Sequence, residues 1–151
     1  MNRRFCEGRS RVAALLALAV CCLAACSDDG RVKVHPVTGK VLYRGAPAAG
    51  AEVVFHSTLP RSEQKGLPIP RGVAGEGGEF QLTSFNPNDG APAGDYEVTV
   101  VWPEPPPAGS DPEAAGDPID RLGGQFANPT TSGLKATVTA GNNELEPFAL
   151  E

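Results

Sequence analysis

All fifteen prolines and seventeen of the eighteen glycines of this 151-residue chain lie after residue 25. Proline lacks an N–H and clashes inside a helix, and glycine costs about 1 kcal/mol there relative to alanine. That density rules out long helices and favours short strands joined by turns. Residues 1–25 obey a different rule.

Arg3, Arg4, Arg9 and Arg11 precede a charge-free run from Val12 to Ala25. The run is 14 residues long, short of the about 20 needed to span a bilayer core. Basic residues ahead of a short apolar run that ends in small residues form the pattern of a cleaved export signal. Leu23-Ala24-Ala25-Cys26 closes it and resembles the bacterial lipobox. That resemblance implies a diacylglyceryl group on the Cys26 thiol, cleavage before it and acylation of the new amine, palmitate being a typical chain. One acyl chain holds a membrane only marginally, whereas several on one residue hold it firmly. A conventional signal peptide and an uncleaved anchor are the competing readings. Cys21 and Cys22 fit the cut less well, because a valine or cysteine crowds each and neither is followed by a polar start. Cys26 is followed by Ser27-Asp28-Asp29-Gly30. The expected organisation is a signal peptide over 1–25, a lipidated cysteine and tether over 26–36, and a β-domain over 37–151 with a Pro-rich loop at 103–118. The expected address is a bacterial cell membrane or outer membrane, facing an extracytoplasmic compartment.

The four cysteines are Cys6, Cys21, Cys22 and Cys26, so none lies within the β-domain. That domain has no disulfide and no cysteine metal site, and its stability rests on an ordinary packed core. Removing the leader's four arginines and one glutamate leaves nine basic and seventeen acidic side chains, a net charge of −8 against −5 for the whole chain. An acidic surface argues against nucleic acid as a partner and against an electrostatic hold on anionic headgroups.

Alternation of apolar and polar residues predicts strands. Val37–Tyr43 turns Val37, Gly39, Val41 and Tyr43 to one side. Arg44-Gly45-Ala46-Pro47 is a turn. Ala51–Ser57 follows, with Val53 and Phe55 inward and His56 outward. Residues 58–70 form a polar loop. Residues 72–75 and 79–85 read as a hairpin around Glu76-Gly77-Gly78, because tight hairpin turns need residues with positive φ. Gly94–Trp102 is the clearest strand, with Tyr96, Val98, Val100 and Trp102 on one face. Asp120–Ala127 reads as a short helical turn. Leu134–Thr139 is a strand with Leu134, Ala136 and Val138 inward. Leu145–Leu150 closes the chain with Phe148 and Leu150 in the core, and Pro147 puts it at an edge or bulge. About seven short strands joined by turns predict an all-β, antiparallel sandwich.

Gly39-Lys40-Val41 through Gly45-Ala46-Pro47 to Ala51-Glu52-Val53-Val54-Phe55 resembles the opening hairpin of carboxypeptidase regulatory-like, or transthyretin-like, domains. Gly72 through Gly78-Glu79-Phe80-Gln81-Leu82 is similar to their second hairpin, and Gly94-Asp95-Tyr96-Glu97-Val98-Thr99-Val100 to their Gly-x-Tyr strand. The ending, Phe126-Ala127-Asn128-Pro129 through Leu134 and Gly141-Asn142, resembles a small-lipoprotein group of planctomycete bacteria. The resemblance implies a seven-stranded prealbumin-like sandwich and no activity, since such domains serve as stabilising or adhesive modules. Fold likeness does not by itself assign function.

The residues offer no catalytic set and no implied cofactor or metal. His35, in the tether, and His56, on an outer strand face, are expected to be surface residues. Asn86-Pro87-Asn88-Asp89-Gly90 has alternating oxygen ligands but lacks the leading aspartate and distal glutamate of a calcium loop, so a polar turn is expected. Asp111, Glu113, Asp117 and Asp120 are a looser acidic group, expected to be solvated. No serine lies in a Gly-x-Ser-x-Gly elbow. Tyr43, Tyr96 and Trp102 are the candidates for stacking on a sugar, although the strand pattern assigns Tyr96 and Trp102 to the core. The expected function is a lipid-anchored, non-enzymatic envelope protein, a structural or interaction module. The alternative is a carbohydrate- or small-ligand-binding lipoprotein. The expected partners are the membrane, through the lipid, and an envelope protein or polysaccharide.

Overall fold

The computed structural model describes residues 30–105 and 118–151. The leader, Cys26 and Asp111, Glu113 and Asp117 lie outside the described residues. Among the described residues the fold is all-β, with no helix and hence none long and apolar enough to cross a membrane. Eleven strands follow in order: β1 (Val34–His35), β2 (Val37–Tyr43), β3 (Ala46–Pro47), β4 (Glu52–Ser57), β5 (Arg71–Val73), β6 (Glu79–Gln81), β7 (Ala91–Pro92), β8 (Gly94–Val101), β9 (Leu134–Val138), β10 (Asn143–Glu144) and β11 (Phe148–Leu150).

One sheet is antiparallel throughout, in the order β5-β4-β8-β9. The other is organised around β2. It pairs antiparallel with β3 and β6 and parallel with β10 and β11. Arg44 and Gly45 join β2 to β3 with φ of 49° and 81°. Two consecutive positive φ values match the right-handed twist of a strand pair. A small third pairing, β1 with β7, covers one end.

The predicted alternation holds in both sheets. Val53 and Phe55 of β4, with Tyr96, Val98 and Val100 of β8, are buried against Val37, Val41, Phe80, Phe148 and Leu150 of the other sheet. The Phe55 and Phe148 rings join the layers at 6.4 Å, and Phe80 stacks on Phe148 at 6.1 Å. Each fully buried apolar side chain of this size contributes about 1.5–3 kcal/mol. Gly39 of β2 leaves the floor on which Phe80 rests: a Cβ there would meet the ring's Cζ at 2.5 Å.

Four expectations are corrected. The sandwich is not purely antiparallel, because β10 and β11 run parallel to β2. After β9 the chain does not fold back beside it but crosses to the other sheet. Asn143 fixes the crossing: its Oδ1 accepts from Thr139 N at 2.8 Å, and its Nδ2 donates to Gly141 O at 3.0 Å. Leu145 N still donates to Thr38 O at 2.9 Å, and Glu146 and Pro147 then separate β10 from β11 along β2.

The hairpin expected over 72–85 closes at its turn, where Gly78 N donates to Gly75 O at 2.9 Å. Its arms keep one register, with Gly75 N donating to Glu79 O at 2.8 Å and Arg71 and Thr83 exchanging both backbone bonds. Between these points they form no continuous ladder, β5 pairing with β4 and β6 with β2. Phe80 and Leu82 of the second arm are buried in the core. The helical turn expected at Asp120–Ala127 is a series of tight turns. Gly123 and Gly124 take φ of 61° and 78°, which ends any helix. His35, expected on a surface tether, is 8% exposed. It belongs to β1, and its Nδ1 accepts from Gly141 N at 3.1 Å.

Candidate functional site

The polar residues singled out from the sequence fall mostly into structural positions. Asp89 closes the 84–90 loop. Its Oδ1 accepts from Ser84 N at 2.7 Å, and its Oδ2 from Phe85 N at 3.0 Å and Asn86 N at 2.8 Å. Burial pushes its pKa up, and the N–H donors of Ser84, Asn86 and Phe85 outweigh that, so the carboxyl lies below the usual aspartate range. A carboxylate engaged in this way is committed to the turn.

Asp120 does the same work beyond the Pro-rich loop. Its carboxylate accepts from Trp102 N at 2.9 Å, Leu122 N at 3.0 Å and Gly124 N at 2.8 Å. Burial again raises its pKa, and those N–H groups lower it further than burial raises it. His56 Nε2 lies 3.0 Å from Thr99 Oγ1 on the outer face of the four-stranded sheet, and this contact helps to explain why outward-facing Thr99 is buried. Ser132 donates from Oγ to Val98 O at 2.7 Å. No group of three His, Cys, Asp or Glu side chains among the described residues could hold a metal ion.

The three aromatic candidates separate. Tyr96 is in the core, and its hydroxyl donates to Pro92 O at 2.8 Å. Tyr43 and Trp102 are half-buried and meet edge to face at 5.7 Å. Trp102 lies just past the end of β8 rather than within the core face, and its Nε1 donates to Ala49 O at 2.8 Å. Arg121 stands 4.9 Å over the Trp102 ring and Arg44 stands 5.0 Å over the Tyr43 ring. Exposed cation–π contacts of this kind contribute about 0.5–1 kcal/mol. The result is an aromatic edge carrying two arginines on an otherwise acidic domain. The sequence could not reveal it, because Arg44 and Arg121 stand far apart along the chain.

Two of the surface depressions are lined in part by the segment that returns to β2. The larger, about 680 Å³, lies over the outer face of β2, β6 and β10. Lys40 Nζ and Glu79 Oε1 pair across it at 2.9 Å, with Gln81 and Glu144 nearby. The Lys40 hydrogen bond is the chief cause that holds Glu79 below the usual carboxylate range. The second, about 410 Å³, runs between β9 and the 145–149 segment. Leu134, Ala136, Leu145 and Phe148 give it an apolar floor.

The polar groups described above serve turns, ladders and ion pairs, and the concave surfaces are open and shallow. No protein-family model, no curated protein and no solved structure matches the chain.

Proposed function

We propose that this chain is a lipid-anchored, non-enzymatic protein of the bacterial cell envelope, whose β-domain is a structural or interaction module. The observation that carries this reading is Leu23-Ala24-Ala25-Cys26 at the end of a charge-free run behind four arginines. Placement of every cysteine at or before residue 26 agrees with it, since the exported domain then presents no thiol. For the domain itself the proposal is a seven-stranded prealbumin-like sandwich. Its support is that seven of the eleven described strands are three residues or longer and that the two larger sheets share one core.

Expression of the Cys26→Ser chain in its own host tests the anchor. The expected result is an unprocessed precursor without lipid mass by intact mass spectrometry. A normally matured, membrane-bound variant would refute the proposal.

A second reading, a carbohydrate- or small-ligand-binding lipoprotein, draws on the half-buried Tyr43–Trp102 pair flanked by Arg44 and Arg121. An array of envelope glycans tests it. Saturable binding that Trp102→Ala abolishes without unfolding the domain would favour this reading over the first.

A further inference from the structure

We propose that the edge formed by Tyr43, Arg44, Trp102 and Arg121 binds an acidic glycan, one whose sugar rings carry carboxylates. This inference rests on the ligand-binding reading above and names its ligand class.

Strand ends bring the four residues together. β1 pairs with β7, so Val34 lies beside Pro92, and β2 and β8 both start where the chain enters the domain. β2 runs from there to Tyr43, and β8 runs to Val101, one residue short of Trp102. The seven residues of β2 cover about 20 Å. The aromatic pair therefore stands at the far end, clear of the entering chain. The backbone fixes each arginine there. Arg44 N donates to Leu150 O at 2.9 Å, and Arg121 N donates to Trp102 O at 2.8 Å.

Open donors supply the chemical argument. Arg44 and Arg121 are exposed, and neither guanidinium has an ion pair or a hydrogen bond among the described residues. Each is held by its ring. A guanidinium so placed keeps its N–H groups and offers a carboxylate two of them side by side. The Tyr43 hydroxyl also has no partner among the described residues and is not buried. The indole N–H is engaged, by Ala49 O. The open groups are thus two cationic donors and one hydroxyl around two half-buried rings. A ligand that answers them is rich in acceptors, carries negative charge and has apolar C–H faces to lay on the rings. A uronic-acid chain has all three properties, whereas a neutral sugar leaves both charges unanswered.

The surroundings narrow the choice of anion. Glu104 lies beside Arg121 in a depression of about 390 Å³, and Glu151 follows Leu150, whose carbonyl holds Arg44 N. After the leader the chain carries a net charge of −8. A nucleic acid, with a charge every 1.7 Å or so along a duplex, would press its surplus charges against these acids. Carboxylates spaced one to a sugar let two charges meet two arginines with neutral stretches between them.

The test titrates the full chain, purified from its host, with an oligogalacturonate. The comparison ligand is its methyl ester, which keeps the sugar rings and removes the charge. Calorimetry reads affinity, and NMR reads the Trp102 indole N–H and the Arg44 and Arg121 side-chain N–H signals. The acid is expected to move all three signals, and the ester to bind about tenfold or more weaker. Arg44→Gln and Arg121→Gln should each weaken binding of the acid by about threefold or more and leave the circular dichroism unchanged. Should either variant unfold, the acid and ester comparison decides the matter alone. Equal binding of acid and ester would overturn the proposal and leave the wider carbohydrate reading standing. Failure of the acid to bind, or wild-type affinity in both folded variants, would also overturn it. So would tighter binding of a glutamate-rich peptide or a single-stranded oligonucleotide at the same signals, since the partner would then be a polypeptide or a nucleic acid. Lipid attachment is read separately by mass, so a failure here leaves the anchor reading intact.

Discussion

Asp89 and Asp120 each gather three backbone N–H groups on one carboxylate and so fix two loops that have no regular structure of their own. Hydrogen bonds to a charged group contribute about 1.5–3 kcal/mol. Asp89→Asn should therefore lower the urea midpoint by an amount equivalent to about 1–3 kcal/mol with little change in m. The pH dependence follows from the sign of the shifts. Both carboxyls titrate lower in the folded chain than in the unfolded one. Their stabilisation is full above the unfolded value of about 3.9 and is lost as pH falls through the folded value. Acid unfolding curves of Asp89→Asn should be flatter than wild type below about pH 4. Tyr96 acts at the other end of the scale, because burial pushes its phenol up to about 12. Folding then favours the neutral hydroxyl, a contribution full below about pH 10 and lost as pH rises through the folded value. Tyr96→Phe should remove that alkaline loss and cost about 1 kcal/mol at neutral pH, through the unpaired Pro92 carbonyl; a pH series of urea melts measures both. The sequence placed Asp89 in a turn because Asn-Asp-Gly is turn chemistry. It could not tell that Asp120 would reach back to Trp102 N, a contact across the Pro-rich loop.

Among the elements, β2 shows how much a local pattern can specify. Its alternation, its turn and its buried face were legible because strand side chains repeat every two residues. Its position between four partners was not, because pairing depends on which other segments arrive. The same division explains β5 and β6, which read as one hairpin and belong to two sheets. Their turn is local, but their partners are set by the apolar space that Phe80 and Leu82 enter. Gly39 is a position where a core ring packs directly on the backbone. Its φ is not left-handed, so Gly39→Ala should be destabilising through steric overlap with Phe80 alone, by about 1–3 kcal/mol. A thermal melt checks the loss. Pairing Gly39→Ala with Phe80→Leu should restore part of it, and failure of the pair to do better than their sum would place the strain elsewhere.

At the scale of the molecule, the β-domain must stand without covalent staples. No cysteine lies after Cys26, so melting in oxidising and in reducing buffer should give the same Tm; a drop on adding a reductant would reveal a cross-link that the sequence forbids. By itself the sequence determined the absence of thiols after Cys26, the all-β class and the inward face of most strands. These follow from composition and from a two-residue period, which are properties of neighbouring residues. Only the tertiary structure decided that β10 and β11 run parallel to β2, that His35 is buried, that Trp102 stands between Tyr43 and Arg121, and that β9 is left with an open edge. Each of those depends on segments far apart in the chain competing for the same apolar space and the same backbone partners, and no local pattern records the winner.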